Sequence, residues 1–208
     1  MDKWLSKVKG VVQMWFAGTE GGNAIADVLF GNYNPSGKLP ITFPKKWEDC
    51  SAFGTYKTFP ARTYYADDIY VGYRHFDTKN IEPLFPFGFG LSYTNFEYEN
   101  LSVNESGNSI DVSFDIKNIG SFDGAETAQI YVSEIQPLID RPAKELKAFK
   151  KVFLKKGETQ KVNLSIDKKS LSYFDAKTHD WMLDNGEYEI LVGASSRDIK
   201  LKSSVILK

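Results

Sequence analysis

The side chains best equipped for chemistry in this chain are its acids, its two histidines, one cysteine and an arginine set among aromatics. Glu20 and Asp27 flank one short segment of helical pattern, and Asp67 and Asp68 are adjacent, so each set offers two acids for proton transfer or nucleophilic work. Nothing in the spacing fixes either set opposite a shared substrate, and acids of this kind are generally solvated surface groups. Glu20 falls at a predicted helix N-terminus, where the dipole and free backbone N–H groups favour a carboxylate, which points to capping rather than catalysis. His75 and His179 are far apart, with no H-E-x-x-H or carboxylate-rich metal spacing near either, and read as structural histidines. The glycines of GTEGG are followed by no G-K-[ST] and do not follow G-x-G-x-x-G, which removes the phosphate-loop reading. Cys50 is the sole cysteine, so an internal disulfide and a multi-thiolate metal cage are excluded and the residue reads as structural. Arg74, inside VGYRHFD, needs a partner among its aromatic neighbours; Asp77, Asp67 or a carbonyl would serve, and so would a ligand.

The frame for these groups is a chain of 208 residues, 42% apolar and 14% aromatic, enough for a real core in one large domain or two small ones. Lys plus Arg number 26 against 27 Asp plus Glu, a net charge of −1, so no net field recruits nucleic acid or an anionic membrane. No run approaches the ~20 apolar residues that cross a bilayer, and the longest, Val11 to Ala17, is interrupted by Gln13. A soluble protein is expected. Residues 1–9 lack the hydrophobic stretch of a secretory signal, and the compartment stays open.

Three zones follow along the chain. VVQMWFAG predicts a strand, Thr19 an N-cap, and EGGNAIADVLFG a helix with Gly31 at its C′ position, together one α/β unit too small to close a sheet of its own. Residues 32–95 are dense in Pro, Gly and aromatics and predict an extended packed connection, with short strands at Leu39 to Phe43 and Ile69 to Tyr73. From Phe96 onward short alternating segments predict strands at Phe96–Val103, Ile110–Lys117, Ala125–Ser133, Glu145–Phe153, Gln160–Ser165, Ser172–Asp175, Glu187–Val192 and Leu201–Leu207. The turns ESGN, NIGSFDG, KKGE and DNGE separate them, which is the pattern of an antiparallel β-sandwich of the immunoglobulin-like class. Asn118 and Gly120 read as a turn capped by its own Asn, and Lys144, Glu145, Lys147, Lys150 and Lys151 as the solvated face of a strand.

Three stretches carry a resemblance to a known family. WFAGTEGGNAIADVLFGNYNPSGKLPITFP, from Trp15 to Pro44, resembles the signature W-Y-P-G-Q-E-G-G, A-x-A-D-V-L-F-G, N-P-S-G-K-L-P-x-T-F-P of family 3 glycoside hydrolases of the β-glucosidase type. YVGYRHFDTKNIEPLFPFGFGLSYTNFEY, Tyr70 to Tyr98, resembles the linker into the last domain of that family. RPAKELKAFKKVFLKKGET, Arg141 to Thr159, and YEILVGASSRDIKL, Tyr188 to Leu201, resemble its fibronectin type III-like domain. Ala17 and Thr19 replace the usual Pro and Gln, and Asp67-Asp68 stands where Glu-Gly is common.

The resemblance implies a mainly β fold: a remnant of an α/β sandwich over 1–44, a linker over 45–94 and a fibronectin type III-like β-sandwich over 95–208. It implies a retaining hydrolase of β-glucosides or short oligosaccharides, with no metal or organic cofactor, whose nucleophilic Asp and acid/base Glu sit upstream of the matched stretches. On that reading no catalytic residue lies in this chain, which begins downstream of both and is inactive alone. Glu20, Asp67, Arg74 and His75 are the residues near the sugar site, and Tyr64, Tyr65, Tyr70, Tyr73 and Phe76 either pack the linker or stack on a pyranose ring. The expected partners are the missing barrel and α/β sandwich domains, a β-glucoside or oligosaccharide in the intact enzyme, and a second copy through exposed apolar surface in 10–30. Two rival readings are a free-standing glycan- or protein-binding module and one chain of a split hydrolase.

Overall fold

The computed structural model describes residues 3–56 and 64–208. Its larger part is a β-sandwich in which side chains alternate between a dry interior and the outside, as period-two strands require. The strands are β1 (Phe96–Ser106), β2 (Ser109–Asn118), β3 (Gly124–Glu134), β4 (Glu145–Leu154), β5 (Thr159–Asp167), β6 (Tyr173–Asp175), β7 (Asp180–Met182), β8 (Gly186–Gly193) and β9 (Ile199–Leu207). Three antiparallel strands in the order β1-β2-β5 face four in the order β4-β3-β8-β9, while β6 and β7 pair only with each other. Ile110, Phe114 and Ile116 of β2 meet Ala128 and Ile130 of β3 and Ile190 and Val192 of β8 in a core whose side chains are 0% exposed. Eight strands were legible in the sequence. The ninth, β7, carries only three residues and no alternation to read.

Asn118 closes one end of the sandwich. Its Oδ1 accepts from the Thr94 hydroxyl at 2.6 Å and from Gly120 N at 3.1 Å, and its Nδ2 donates to Phe122 O at 2.7 Å and Leu154 O at 3.1 Å. A fully buried amide thus has four partners, the condition under which burial of such a group is tolerated. The turn expected of Asn118 and Gly120 is present, and Gly120 is required there because a Cβ would strike the Thr94 side chain.

The linker covers the outside of the four-stranded sheet. Gln129, Tyr131 and Leu191 point away from the core yet are buried, since Tyr73 lies edge-on to Tyr131 at 5.9 Å and stacks on Phe87 at 4.8 Å. Gln129 donates to Gly88 O at 3.1 Å and Ala194 O at 2.8 Å and accepts from the Tyr131 hydroxyl at 2.6 Å. Gly88, at φ +79°, has no room for a side chain against that amide.

Two Pro-rich stretches run side by side before the sandwich, joined by Leu39 N to Phe89 O and Gly88 N to Leu39 O, both 2.8 Å, and by Phe43 N to Phe85 O at 2.9 Å. They are pinned to the sandwich by Lys38, 3.0 Å from the buried Glu126, which also accepts from the Tyr98 hydroxyl at 2.9 Å. Asn34 adds a second pin, donating to Asp123 O at 2.9 Å. The short strand expected over Leu39 to Phe43 reduces to one bridge, Phe43 to Phe85, because prolines interrupt the N–H ladder.

Helix α1 (Gly21–Leu29) ends as expected, with Gly31 at φ +79° in the C′ position. Its N-cap is Glu20 and not Thr19, and the Glu20 side chain makes no capping hydrogen bond. The strand expected from VVQMWFAG is absent: residues 10–15 belong to no strand, Trp15 turns to φ +49°, and no described strand lies beside them to complete a ladder. Val11, Val12, Phe16, Leu29 and Phe30 are exposed, Phe16 fully so, whereas Met14 is half-buried. The strand expected over Ile69 to Tyr73 is replaced by a turn and then α2 (Tyr73–Thr78), entered through Gly72 at φ +59°. Among the described residues no helix is long and apolar enough to cross a membrane.

Candidate functional site at the junction of linker and sandwich

Helix α2 carries the densest group of interacting charges. Arg74 and Asp77 sit one turn apart on it and meet adjacent residues of opposite order: Arg74 pairs with Glu145 at 2.8 Å and Asp77 with the Lys144 ammonium at 2.8 Å. Arg197, from the β8–β9 loop, donates through Nε to Asp77 at 2.5 Å and through Nη2 to Phe76 O at 3.0 Å and Ile81 O at 3.1 Å, clamping the end of the helix. Glu145 is shared further with Lys147 at 3.2 Å and Arg141 at 3.8 Å, and Arg141 meets Glu134 at 3.2 Å. The expected partners of Arg74 were Asp77, Asp67 or a carbonyl; its partner is Glu145, and Asp77 is taken by two other cations. The solvated face expected of Lys144, Glu145 and Lys147 is likewise a half-buried ion network, leaving Lys150 and Lys151 exposed.

Burial sets the electrostatics of this network. It pushes the Glu134 carboxyl above its ordinary range against the pull of Arg141, with a hydrogen-bonding Asp184 adding to the rise. Burial also lowers the Lys147 ammonium, opposed by Glu145. Tyr70 donates to Asp140 at 2.5 Å, and this bond holds its phenol up to about 12. Tyr98 and Tyr131 are raised above the ordinary tyrosine value chiefly by burial.

The four residues expected near a sugar site separate into two places. Arg74 and His75 are neighbours on α2, and Asp67 lies in the turn just before it, where its carbonyl accepts from Tyr70 N at 2.9 Å. His75 Nε2 is 3.1 Å from Asp49 O and its ring meets Phe76 edge-on, which fits a structural histidine. One Asp67 carboxylate oxygen is buried without a hydrogen-bond partner. Asp68 next to it has φ +51°, the left-handed region that favours glycine. Glu20 stays on α1, where it accepts from Asn23 at 2.6 Å, and no described hydrogen bond or ion pair links it to Asp67, Arg74 or His75. His179 occupies the exposed β6–β7 turn at φ +54°. Cys50 is free and half-buried, its thiol pushed up by burial and then by Asp49. Among the described residues no group of three His, Cys, Asp or Glu could hold a metal ion.

Arg197 has no place in the sequence reading, which takes Asp77 only as a possible partner of Arg74 and Lys144 only as part of a solvated strand face. The charge order Arg74/Asp77 against Lys144/Glu145 was on the page, but which pairs meet depends on β4 lying beside α2, which only the fold reveals.

The profile of the glycosyl hydrolase family 3 C-terminal domain matches residues 1–93, and that of the fibronectin type III-like domain matches 126–196. The chain belongs to glycosyl hydrolase family 3. Thermostable β-glucosidase B of Acetivibrio thermocellus is 49% identical over 97% of this chain and 27% of its own length. A β-glucosidase of Rhizobium radiobacter is 46% identical over 98% of this chain and 26% of its own length. Among solved structures, β-glucosidase 3B of Thermotoga neapolitana in complex with glucose superposes with a TM-score of 0.94 at 43% identity, over 100% of this chain and 29% of that one. The family 3 β-glucosidase of Bifidobacterium adolescentis gives 0.95 at 38% identity, over 99% and 31%. The chain therefore spans about a quarter to a third of the proteins it matches, in their C-terminal region. Its mainly β fold with a fibronectin type III-like sandwich agrees with these family members.

Proposed function

We propose that this chain serves as the C-terminal part of a retaining β-glucosidase and does not hydrolyse glycosides by itself. Residues 1–44 complete an α/β sandwich domain, 45–94 form the linker, and 95–208 form a buttress that holds the linker in place. The exposed apolar stretch carries this reading: Val11, Val12, Phe16, Leu29 and Phe30 are the residue types of a domain interior, left uncovered here. A retaining glycosidase needs two carboxyl groups about 5 Å apart, whereas the Glu20 carboxylate is bonded to Asn23 on α1 and no described hydrogen bond or ion pair joins it to Asp67. The O-glycosyl bond cleaved, its nucleophilic Asp and its acid/base Glu belong to the upstream domains, which are the natural partner of the apolar stretch. In their absence a second copy would cover it.

The test is complementation. The chain is mixed with a fragment of the Acetivibrio thermocellus relative ending where the match to this chain begins, and aryl β-glucoside hydrolysis is followed. Activity only in the mixture is the expected result. Turnover by the repurified chain alone, lost on Glu20→Gln, would sink the reading. Sedimentation of the lone chain checks self-association, and a strict monomer binding no hydrophobic dye argues against it.

A further inference from the structure

The outer face of the β1-β2-β5 sheet holds a shallow, open groove of about 380 Å³ lined by Asn104, Asp111, Val112, Ser113, Asn163, Leu164 and Ser165. Two neighbouring rungs build its floor, Ser102–Ser113–Asn163 and Asn104–Asp111–Ser165, in register across all three strands. All six are Ser, Asn or Asp, and none is one of the β-branched or aromatic types that strands favour. One rung further along the same face long charged side chains return, with Glu99, Asp115 and Lys161 in line. The change falls at a β-bulge between Glu99 and Ser102, where Asn100 adopts φ +58° and donates to Asp115 at 2.8 Å. Bulges are over-represented at sheet edges, where β1 lies, and next to active sites, and in either setting they end regular pairing and re-aim side chains.

We infer that this groove is a binding site for a neutral, hydroxyl-rich glycan chain. Its groups suit sugar hydroxyls, each of which both donates and accepts. Asp111 already gathers the Ser109 and Ser165 hydroxyls at 3.2 and 2.8 Å, showing that its carboxylate accepts O–H groups from two directions. Ser113 and Asn163 make no side-chain hydrogen bond among the described residues and are free to meet a ligand. No Lys or Arg lines the groove, which disfavours phosphate or nucleic acid, and no aromatic lines it, so recognition rests on hydrogen bonds. Two inter-strand steps span roughly 10 Å, room for about two sugar rings lying across the strands. Such a site would keep the protein near a longer glycan.

The experiment is an amide-shift titration of the 208-residue chain with cellotetraose and, separately, laminaritetraose. Saturable shifts confined to β1, β2 and β5, with a dissociation constant on the order of 1 mM, are expected for at least one. Asp111→Ala and Asn163→Ala should each weaken it by about tenfold or more, and Ser113→Lys, which fills the groove, should abolish it while circular dichroism stays unchanged. Absence of shifts with both sugars at about 10 mM, shifts centred on the exposed Phe174 and Trp181, or binding retained by Ser113→Lys overturns the proposal. The same variants should leave aryl-glucoside activity in the complementation assay intact, so failure of the groove and failure of the hydrolase reading give different results.

Discussion

The sandwich and the segment before it draw on the same apolar residue types and treat them oppositely. Phe114 is 0% exposed between two sheets, whereas Phe16 is wholly exposed on a stretch with no paired neighbour. The sandwich owns both layers that its interior needs, and the earlier segment owns one helix and half of a surface. A residue's contribution to stability therefore depends on whether its covering layer is encoded in the same stretch.

The sharpest way to break this contrast is to truncate one aromatic from each region. Phe114→Ala should cost about 3–5 kcal/mol of unfolding free energy in urea, while Phe16→Ala should change it by less than ~0.5 kcal/mol and instead weaken complementation. A large cost for Phe16→Ala in the lone chain would mean that the segment has a cover of its own. Asn118→Ala should come next, at about 3 kcal/mol, since it strands the Thr94 hydroxyl, Gly120 N and two carbonyls. Gln129→Ala should lose about 2 kcal/mol and speed protease cleavage in the linker, because it unpins Gly88 from the sheet.

The ion network gives a smaller, pH-dependent effect. Glu134 is raised by burial, so the folded state holds its proton more tightly than the unfolded chain does. Its contribution is full below the ordinary carboxylate range and is lost as pH rises through the raised value. Glu134→Gln should therefore flatten the stability profile on the side just above the ordinary carboxylate range, and an unchanged slope would assign that dependence to other groups. Smallest of all, Asp68→Gly should gain up to ~1 kcal/mol by relieving a left-handed aspartate. A loss in melting temperature would show that the Asp68 side chain contributes more than its backbone costs.

The sandwich was legible because alternation is written locally: Ile110, Val112, Phe114 and Ile116 declare an inward face without knowledge of their partners. The VVQMWFAG strand was misread for the complementary reason, since its apolar run fits a buried strand but the neighbours that would pair with it are not among the described residues. Arg74 was rightly marked as needing a partner, yet Glu145 lies 71 positions further along and nothing local links the two. Of the residues expected near a sugar site, Arg74 and His75 lie on α2 and Asp67 in the turn before it, while Glu20 stands apart on the N-cap of α1, because sequence position alone does not say which elements meet. The groove escaped notice because its signal is a lack of ordinary strand residues, visible only once three strands are laid in register.

The cover over Gln129, Tyr131 and Leu191 also bears on how the module can be cut. An engineer who trims the gene to begin at Phe96 would retain every strand and still strip away Tyr73 and Phe87, leaving a greasy flank on an otherwise well-built β-sandwich. A portable version has to carry its own lagging, and for this protein the sensible scissors mark lies ahead of Asn34 rather than at the first strand.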